Sequence, residues 1–168
     1  MTTCHTVIDS PIGPLTLVTD GEALTGLYME THRHARPASW GTRVALAEAP
    51  GVLRETARQL GEYFAGERTD FDLPLRPQGT PFQQAVWQAL RSIGYGETIS
   101  YAELARRVGS PSASRAVGLA NGRNPISVVV PCHRVIGANG SLTGYGGGLE
   151  RKRRLLELER AHAGATLF

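Results

Sequence analysis

The sequence Pro131-Cys132-His133-Arg134 separates two apolar runs and constrains the fold more than any other stretch of the chain. The run at residues 126–130 predicts a buried strand, and Pro131 predicts a turn at its end. Because consecutive side chains on a strand point to opposite faces, Cys132 and His133 can cooperate only if the backbone turns or a water molecule bridges them. A thiol beside an imidazole is typical of an activated nucleophile. A small buried cysteine followed by an exposed histidine is the alternative interpretation.

Length and composition indicate a globular protein. The chain has 168 residues, enough for one domain or two small ones, and 41% of them are hydrophobic. No apolar run approaches the ~18 residues of a membrane span, and the first residues lack the basic and apolar regions of a secretory signal. We therefore expect a cytoplasmic protein without a membrane partner. Two cysteines, Cys4 and Cys132, make no disulfide framework, so Cys132 is expected to remain a thiol.

Positive charge is concentrated in the second half of the chain. Residues 1–79 carry 7 arginines and 10 acidic residues, a net charge of −3. Residues 80–168 carry 11 basic and 5 acidic residues, a net charge of +6. Such an imbalance is typical of proteins that bind a polyanion, although surface arginines can also serve solubility alone.

The first half predicts a small sheet covered by a helix. Asp20-Gly21 indicates a two-residue hairpin turn, and Gly66 stands where a helix C-terminal cap would stand. The composition of residues 76–79 is that of a linker, so we expect a first domain at residues 1–77 and a second at 78–168. The predicted elements of the first domain are strands at 6–8, 12–19, 23–29 and 71–75, a loop at 31–50 and a helix at 53–64.

Metal binding by the first half has weak support. Cys4, His5, His32 and His34 are potential ligands, but they lack the paired spacing of a zinc module. We therefore expect no metal site and no cofactor.

Capping signals divide the second half into helices. Thr80-Pro81 followed by Gln83 is a capping box with proline at the first helical position. Ser100 and Glu103 predict a second capping box, which opens a short helix that Gly109 ends. A third helix is predicted over residues 111–121. Two helices joined by a tight turn are the outline of a helix-turn-helix.

The third helix presents an unusual outer face. At 100° per residue, Arg115 lies opposite Val117 and Ala120 and is surrounded mainly by small residues. Such a face lets the helix backbone approach a phosphate-lined groove closely. Close packing against another helix, with Arg115 merely solvated, fits the same pattern.

The last predicted helix, at residues 149–162, places one carboxylate among leucines. Glu159 projects into the apolar stripe, whereas Glu157 points away from it. A buried carboxylate needs a partner, and His133 would give a Glu-His-Cys relay in which the imidazole draws the thiol proton. The alternative partners are Arg134 and Arg153.

These motifs together resemble the O6-alkylguanine-DNA alkyltransferases, also called methylated-DNA protein-cysteine methyltransferases. The resemblance covers essentially the whole second half and, less specifically, residues 9–15. The segments that carry it are residues 82–87, 95–98, 100–105, 113–118, 124–125, 131–135 and 144–149.

The resemblance implies an α+β protein of two domains. The first is an N-terminal α/β domain, a ribonuclease H-like β-hairpin sheet plus a helix. The second is a mainly helical, winged-helix-like domain whose helix-turn-helix accompanies Cys132. It further implies direct repair of double-stranded DNA. O6-methylguanine, with O4-methylthymine and larger O6-alkylguanines, would be flipped out of the duplex, and its alkyl group would pass irreversibly to Cys132 in a single turnover.

The resemblance also implies a role for each matching residue. His133 acts as a base through a water, Glu159 orients it, and Asn124 holds the active-site turn. Tyr101 assists at the guanine, and Arg115 fills the space that the flipped base leaves. The residues implied to contact DNA are Ser100, Tyr101, Ser112, Arg115, Ala116, Gly118, Asn121 and Arg123. The residues implied to line the substrate pocket are Pro131, Val135, Tyr145 and Gly146.

Two other functions are compatible with parts of the pattern. A multiple-turnover Cys-His-Glu hydrolase would use the same relay, but the sequence lacks an oxyanion-hole signature. A non-catalytic alkyltransferase-like protein would bind the DNA lesion without chemistry, and Cys132 argues against it. The expected partner is duplex DNA, bound by a monomer that can cluster along it.

Overall fold

The computed structural model describes residues 2–30, 37–142, 145 and 147–163 of the chain. The described chain forms two compact units. The first comprises Met1–Gln78 together with Pro125–Val129, and the second comprises Gly79–Asn124 and Val130–Phe168. The observed units differ from the predicted domains, 1–77 and 78–168, mainly in one segment, because residues 125–129 belong to the first unit.

A four-stranded sheet forms the centre of the first unit. Its strands are β1 (Cys4–Ile8), β2 (Leu15–Thr19), β3 (Leu24–Met29) and β4 (Thr42–Arg43), in the order β3-β2-β1-β4. The β1-β2 and β2-β3 pairs are antiparallel, and β4 pairs with β1 in parallel. The predicted hairpin is confirmed, but its loop spans residues 20–23, because Asp20 Oδ1 accepts from the backbone of Glu22 and Ala23.

Helix α1 (Gly51–Phe64) covers this sheet with a side that buries Leu53, Leu60 and Tyr63. Gly66 ends it as predicted, with φ of 78° and a hydrogen bond from its N–H to Tyr63 O. The predicted strand at 71–75 is wrong, since only an isolated bridge joins Leu75 to Leu24. Of the predicted loop at 31–50, residues 31–36 lie outside the described residues. The remainder contains β4 and two 3₁₀ turns.

Four helices and a two-stranded sheet are the regular elements in the described part of the second unit. The helices are α2 (Pro81–Leu90), α3 (Tyr101–Arg107), α4 (Ser114–Gly122) and α5 (Leu149–Ala163), and the parallel strands are β5 (Ile99–Ser100) and β6 (Val135–Ile136). Helices α2 to α4 pack on one another, and Trp87 Nε1 donates to Ala120 O at 2.8 Å in their core. The mixed α and β class is confirmed. No helix among the described residues has the length and apolarity to cross a membrane.

The helix starts of this unit match the capping signals in part. Thr80 and Gln83 form the full capping box. Ser100 accepts from the Glu103 backbone as predicted, but the Glu103 carboxylate binds Arg106 and Arg107 on the helix surface. Helix α4 begins at Ser114 and not at residue 111, because a turn closed by Ala113 N–H on Ser110 O comes first.

Candidate active site

The backbone turns at the cysteine. Cys132–Arg134 is a single 3₁₀ turn, and Pro131 precedes it with φ of −81° and ψ of 62°. Cys132 N–H donates to Val130 O at 2.8 Å, and Arg134 N–H donates to Pro131 O at 3.0 Å. Residues 132 to 134 are all buried, so His133 is not the exposed histidine of the alternative interpretation.

Two asparagines hold the carbonyl groups on either side of Pro131. Asn124 Nδ2 donates to Val130 O at 2.8 Å, and Asn121 Nδ2 donates to Cys132 O at 3.3 Å. Both asparagine side chains are buried. The Asn121 side chain is therefore directed into the turn, and the expected contact of this residue with DNA stays a prediction.

Glu159 on α5 receives hydrogen bonds from both candidate partners in the turn. Its exposed fraction is 0%, as the helical arithmetic predicts, while Glu157 is exposed. His133 Nε2 lies 2.7 Å from Glu159 Oε2. Arg134 donates through Nε to Oε1 at 2.8 Å and through an Nη to Oε2 at 3.1 Å. The third candidate, Arg153, instead pairs with Glu150 on the surface.

This contact fixes the protonation of the imidazole. Burial lowers the pKa of His133 below its ordinary value, so the ring is neutral near pH 7. Burial alone would raise the pKa of Glu159, but His133 and Arg134 together hold it well below its usual range. Since the carboxylate only accepts, the single ring proton of His133 lies on Nε2. Nδ1 is left as a buried basic atom with no hydrogen-bond partner among the described residues.

Lys152 is a site residue that the sequence reasoning missed. Its side chain is 0% exposed, and Nζ donates to Val135 O at 2.6 Å. Burial lowers the pKa of Lys152 to about 8, and the charge of Cys132 acts against that shift. Burial also disfavours the charged form of Cys132 and therefore raises the pKa of its thiol. A hydrogen bond from Asn124 and the charge of Lys152 reduce this shift in part. Helical geometry could have found Lys152, because seven residues rotate by 700°, which leaves it about 20° from Glu159.

Helices α3 and α4 present most of the residues expected at DNA. Arg115, Ala116, Ser112 and Arg123 are exposed. Three others are half-buried, namely Ser100, Tyr101 and Gly118. The Tyr101 ring lies against α4, since a Cβ added to Gly118 would stand 3.5 Å from Tyr101 Cδ1.

The outer face of α4 is less bare than the sequence suggests. Leu119 is 66% exposed and stands one helical turn after Arg115. Ala116, one of the residues expected at DNA, is exposed as well. An exposed leucine beside an arginine gives this face an apolar component as well as a charge.

The expected pocket residues are described in part. Pro131, Val135 and Tyr145 are buried, whereas Gly146 lies outside the described residues.

Two of the four potential metal ligands of the first unit, Cys4 and His5, lie in the described part of the chain. Cys4 is buried, and His5 Nδ1 lies 3.2 Å from Trp40 O. His32 and His34 lie outside the described residues. Across the described ranges, no three His, Cys, Asp or Glu side chains gather in a metal-binding group.

Two family models match consecutive parts of the chain. Residues 3–77 match the 6-O-methylguanine DNA methyltransferase, ribonuclease-like domain. Residues 81–161 match the 6-O-methylguanine DNA methyltransferase, DNA binding domain. Together the two models cover most of the sequence.

Known proteins are similar over nearly the full length. The methylated-DNA–protein-cysteine methyltransferase of Mycobacterium bovis is 55% identical over 165 residues, which are 97% of this chain and 96% of that protein. A crystal structure of the Mycobacterium tuberculosis O6-methylguanine methyltransferase has 54% identity and a TM-score of 0.85, with 99% of each chain covered. A structure of Mycobacterium tuberculosis OGT in complex with DNA has 54% identity and a TM-score of 0.84, covering 94% of this chain and 93% of that one.

Proposed function

The chain belongs to the 6-O-methylguanine DNA methyltransferase family, and from this premise we propose that Cys132 is the alkyl acceptor in a direct-reversal repair reaction. The protein repairs methylated DNA by moving the alkyl group from the damaged base to a cysteine. The observation that carries the assignment is the buried Cys132 turn, with His133 held by Glu159 and a lysine near the thiol.

The chemistry is a displacement at an alkyl carbon. The Cys132 sulfur forms a bond to that carbon while the bond from the carbon to guanine O6 breaks, and the bonding electrons leave with the base. The thiol proton passes to His133 Nδ1 through a water, and the hydroxyl of Tyr101 gives a proton to the departing guanine. The products are a thioether on the protein and an unmodified guanine. Because the thioether is stable, each molecule reacts once.

Lys152 supports the thiolate in this scheme. A thiol in an apolar site resists ionisation, so its anion needs a nearby positive charge. The nearby guanidinium of Arg134 is paired with the Glu159 carboxylate, so its positive charge is already balanced. The ammonium of Lys152 therefore supplies positive potential to the sulfur, while the carboxylate supplies orientation to the imidazole.

The α3-α4 pair is the proposed DNA-contacting surface. Flipping a base costs a few kcal/mol of stacking, which contacts in the pocket and an inserted side chain offset. Arg115 is exposed on α4 and has the reach to enter the space left by the base. In this proposal the small residues Ala116 and Gly118 let the helix approach the DNA closely, and Ser100, Ser112 and Arg123 contact phosphates. The charge of +6 in the second half of the chain supports this partner.

The finer expectations follow the same scheme. O4-methylthymine and larger O6-alkylguanines are further proposed substrates, since Pro131, Val135 and Tyr145 offer a mainly apolar lining. The proposed acting species is a monomer in the cytoplasm that can cluster on DNA.

Counting transferred label tests the function. The full chain is incubated with an excess of duplex that carries O6-[³H-methyl]guanine, and label per protein is followed over time. We expect a plateau near one, no label in Cys132→Ser, and an unchanged plateau in the matched control Cys4→Ser. Turnover beyond one methyl per protein would indicate a hydrolase, and binding of the duplex without transfer would indicate a lesion-binding protein.

A further inference from the structure

Val128 has a backbone conformation that branched residues avoid. Its φ is 70°, and it is the single non-glycine residue with positive φ in the described part of the chain. In this region the Cβ of an L-residue crowds the backbone, and a second substituent on Cβ makes the crowding worse. Such a conformation persists only where the surrounding structure enforces it, and these outliers cluster at functional sites. Val128 lies four residues before the alkyl acceptor.

The chain makes two tight turns between Ser127 and Cys132. Val129 N–H donates to Ser127 O at 2.8 Å, which closes a three-residue turn centred on Val128. Cys132 N–H donates to Val130 O at 2.8 Å, which closes a second such turn centred on Pro131. Positive φ makes the first a γ-turn of the rare hand, and the φ of −81° at Pro131 makes the second the common hand. The position of Cys132 therefore depends on both turns.

The first unit holds the start of this path. Leu27 of β3 donates its N–H to Pro125 O at 2.8 Å and accepts from Ser127 N–H at 3.2 Å. Ile126 thereby forms a parallel bridge to Leu27 on the outer edge of β3, the edge that does not pair with β2. Ile126, Ser127 and Val128 are almost fully buried. These contacts enforce the conformation that Val128 would otherwise avoid.

The two ends of the segment are also fixed within the second unit. Asn124 is the last residue before the segment, and its side chain binds the carbonyl of Val130, the first residue after it. The five residues 125–129 thus run from Asn124 to the bridge at Ile126 and back to a carbonyl that the same asparagine binds. A path so short has few alternatives to a left-handed residue at its reversal.

We propose that Val128 is a positioning residue that sets the place of the Cys132 thiol through its left-handed turn. The inference rests on the proposed function and adds a residue that positions the acceptor within it. Displacement needs the sulfur in line with the breaking bond, and misplacement by about 1 Å can cost on the order of 100-fold in rate.

Two substitutions at one position separate backbone conformation from packing. Val128→Ala keeps the Cβ, and with it the resistance to positive φ, but loses the buried methyl groups whose packing helps the surroundings to enforce the turn. Val128→Gly loses still more side chain, yet takes positive φ freely. We expect Val128→Ala to react about tenfold more slowly with O6-benzylguanine, and Val128→Gly to recover at least about fivefold of that loss. Affinity for undamaged duplex should stay within about twofold for both, because the α4 surface is unchanged.

The order of the two rates decides the inference. A packing role predicts that glycine is as slow as alanine or slower, and that result would overturn the proposal, as would equal wild-type rates in both variants. Rates are measured well below the unfolding temperature of each variant, with Val129→Ala as the neighbouring control in which wild-type transfer is expected. If neither Val128 variant folds, Ile126→Val takes their place, and slower transfer supports the positioning role of this segment while unchanged transfer overturns it. Failure of the wild-type protein to accept methyl from duplex would instead overturn the proposed function.

Discussion

Replacing Glu159 with glutamine should separate the orienting role of the carboxylate from its structural role. The two carboxylate oxygens accept four hydrogen bonds, from His133 Nε2, two nitrogens of Arg134 and, at 3.3 Å, the backbone N–H of Gly96. Glutamine has one accepting oxygen and one donating NH₂ group. Either orientation therefore turns the NH₂ towards two donors, and the buried Arg134 guanidinium loses its counter-charge.

The expected magnitudes follow from that geometry. Removing one partner of a buried ion pair costs about 3–5 kcal/mol, and the retained amide oxygen favours the lower end. About 3 kcal/mol corresponds to a fall in Tm of roughly 6–12 °C for a chain of this size. Because the tautomer and direction of His133 are no longer fixed, we expect transfer to slow by about 100-fold, within the usual range for a misplaced general base.

The assay is a single-turnover reaction with O6-benzylguanine at 15 °C, alongside thermal unfolding by circular dichroism. Glu157→Gln is the matched control, since it removes the same charge from an exposed position on α5 and should leave both values unchanged. Stability should also respond to pH. The folded pKa of Glu159 is depressed, so its contribution is complete above the ordinary value of 4.5 and is lost as the pH falls below it. A folded Glu159→Gln protein that transfers at the wild-type rate would refute the orienting role.

Two further substitutions test the charges of the second unit. Arg115→Ala should slow transfer from duplex by about tenfold or more, because the side chain offsets part of the cost of flipping the base. The rate with free O6-benzylguanine should stay unchanged, and equal losses on both substrates would contradict the intercalating role. Arg160→Ala, at an exposed position on α5, is the control. Lys152→Met should raise the pKa of Cys132, because the positive charge that favours its anion is removed, and should slow the reaction with O6-benzylguanine at pH 7 by about tenfold. The difference should shrink as the pH rises past about 8, where the wild-type Lys152 loses its own charge, and a constant ratio across that range would contradict the electrostatic role; Arg153→Met is the exposed control on the same helix.

Local chemistry made some elements predictable from the sequence. Thr80 and Gln83 satisfy each other's backbone donors, so the start of α2 depends on four residues alone. The burial of Glu159 follows from helical periodicity, because α5 is a regular helix of 15 residues. The sequence did not decide whether Glu159 binds His133 or Arg134. In the structure it binds both, because the two oxygens of a carboxylate can accept several hydrogen bonds.

Features that depend on distant partners were not predictable in the same way. Residues 126–130 are buried as the apolar run implies, but they do not form a strand, because the turn at Val128 limits pairing to one bridge at Ile126. The apolar run carries no signal for that conformation or for the β3 edge that accepts it. Lys152 was missed for a related reason. Lysine is ordinarily a surface residue, and its burial depends on an acceptor contributed by Val135, 17 positions earlier in the chain.

The placement of Lys152 and Glu159 on one helix ties the reactivity of the sulfur to the length of that helix. The two residues are separated by seven positions, almost two full turns, and both point inwards. Inserting or deleting a single residue between them would rotate one by about 100° and carry its charge out of the interior. Substitutions can accumulate on the outer side of α5 without consequence for the thiol, but the spacing of seven residues between Lys152 and Glu159 must be kept.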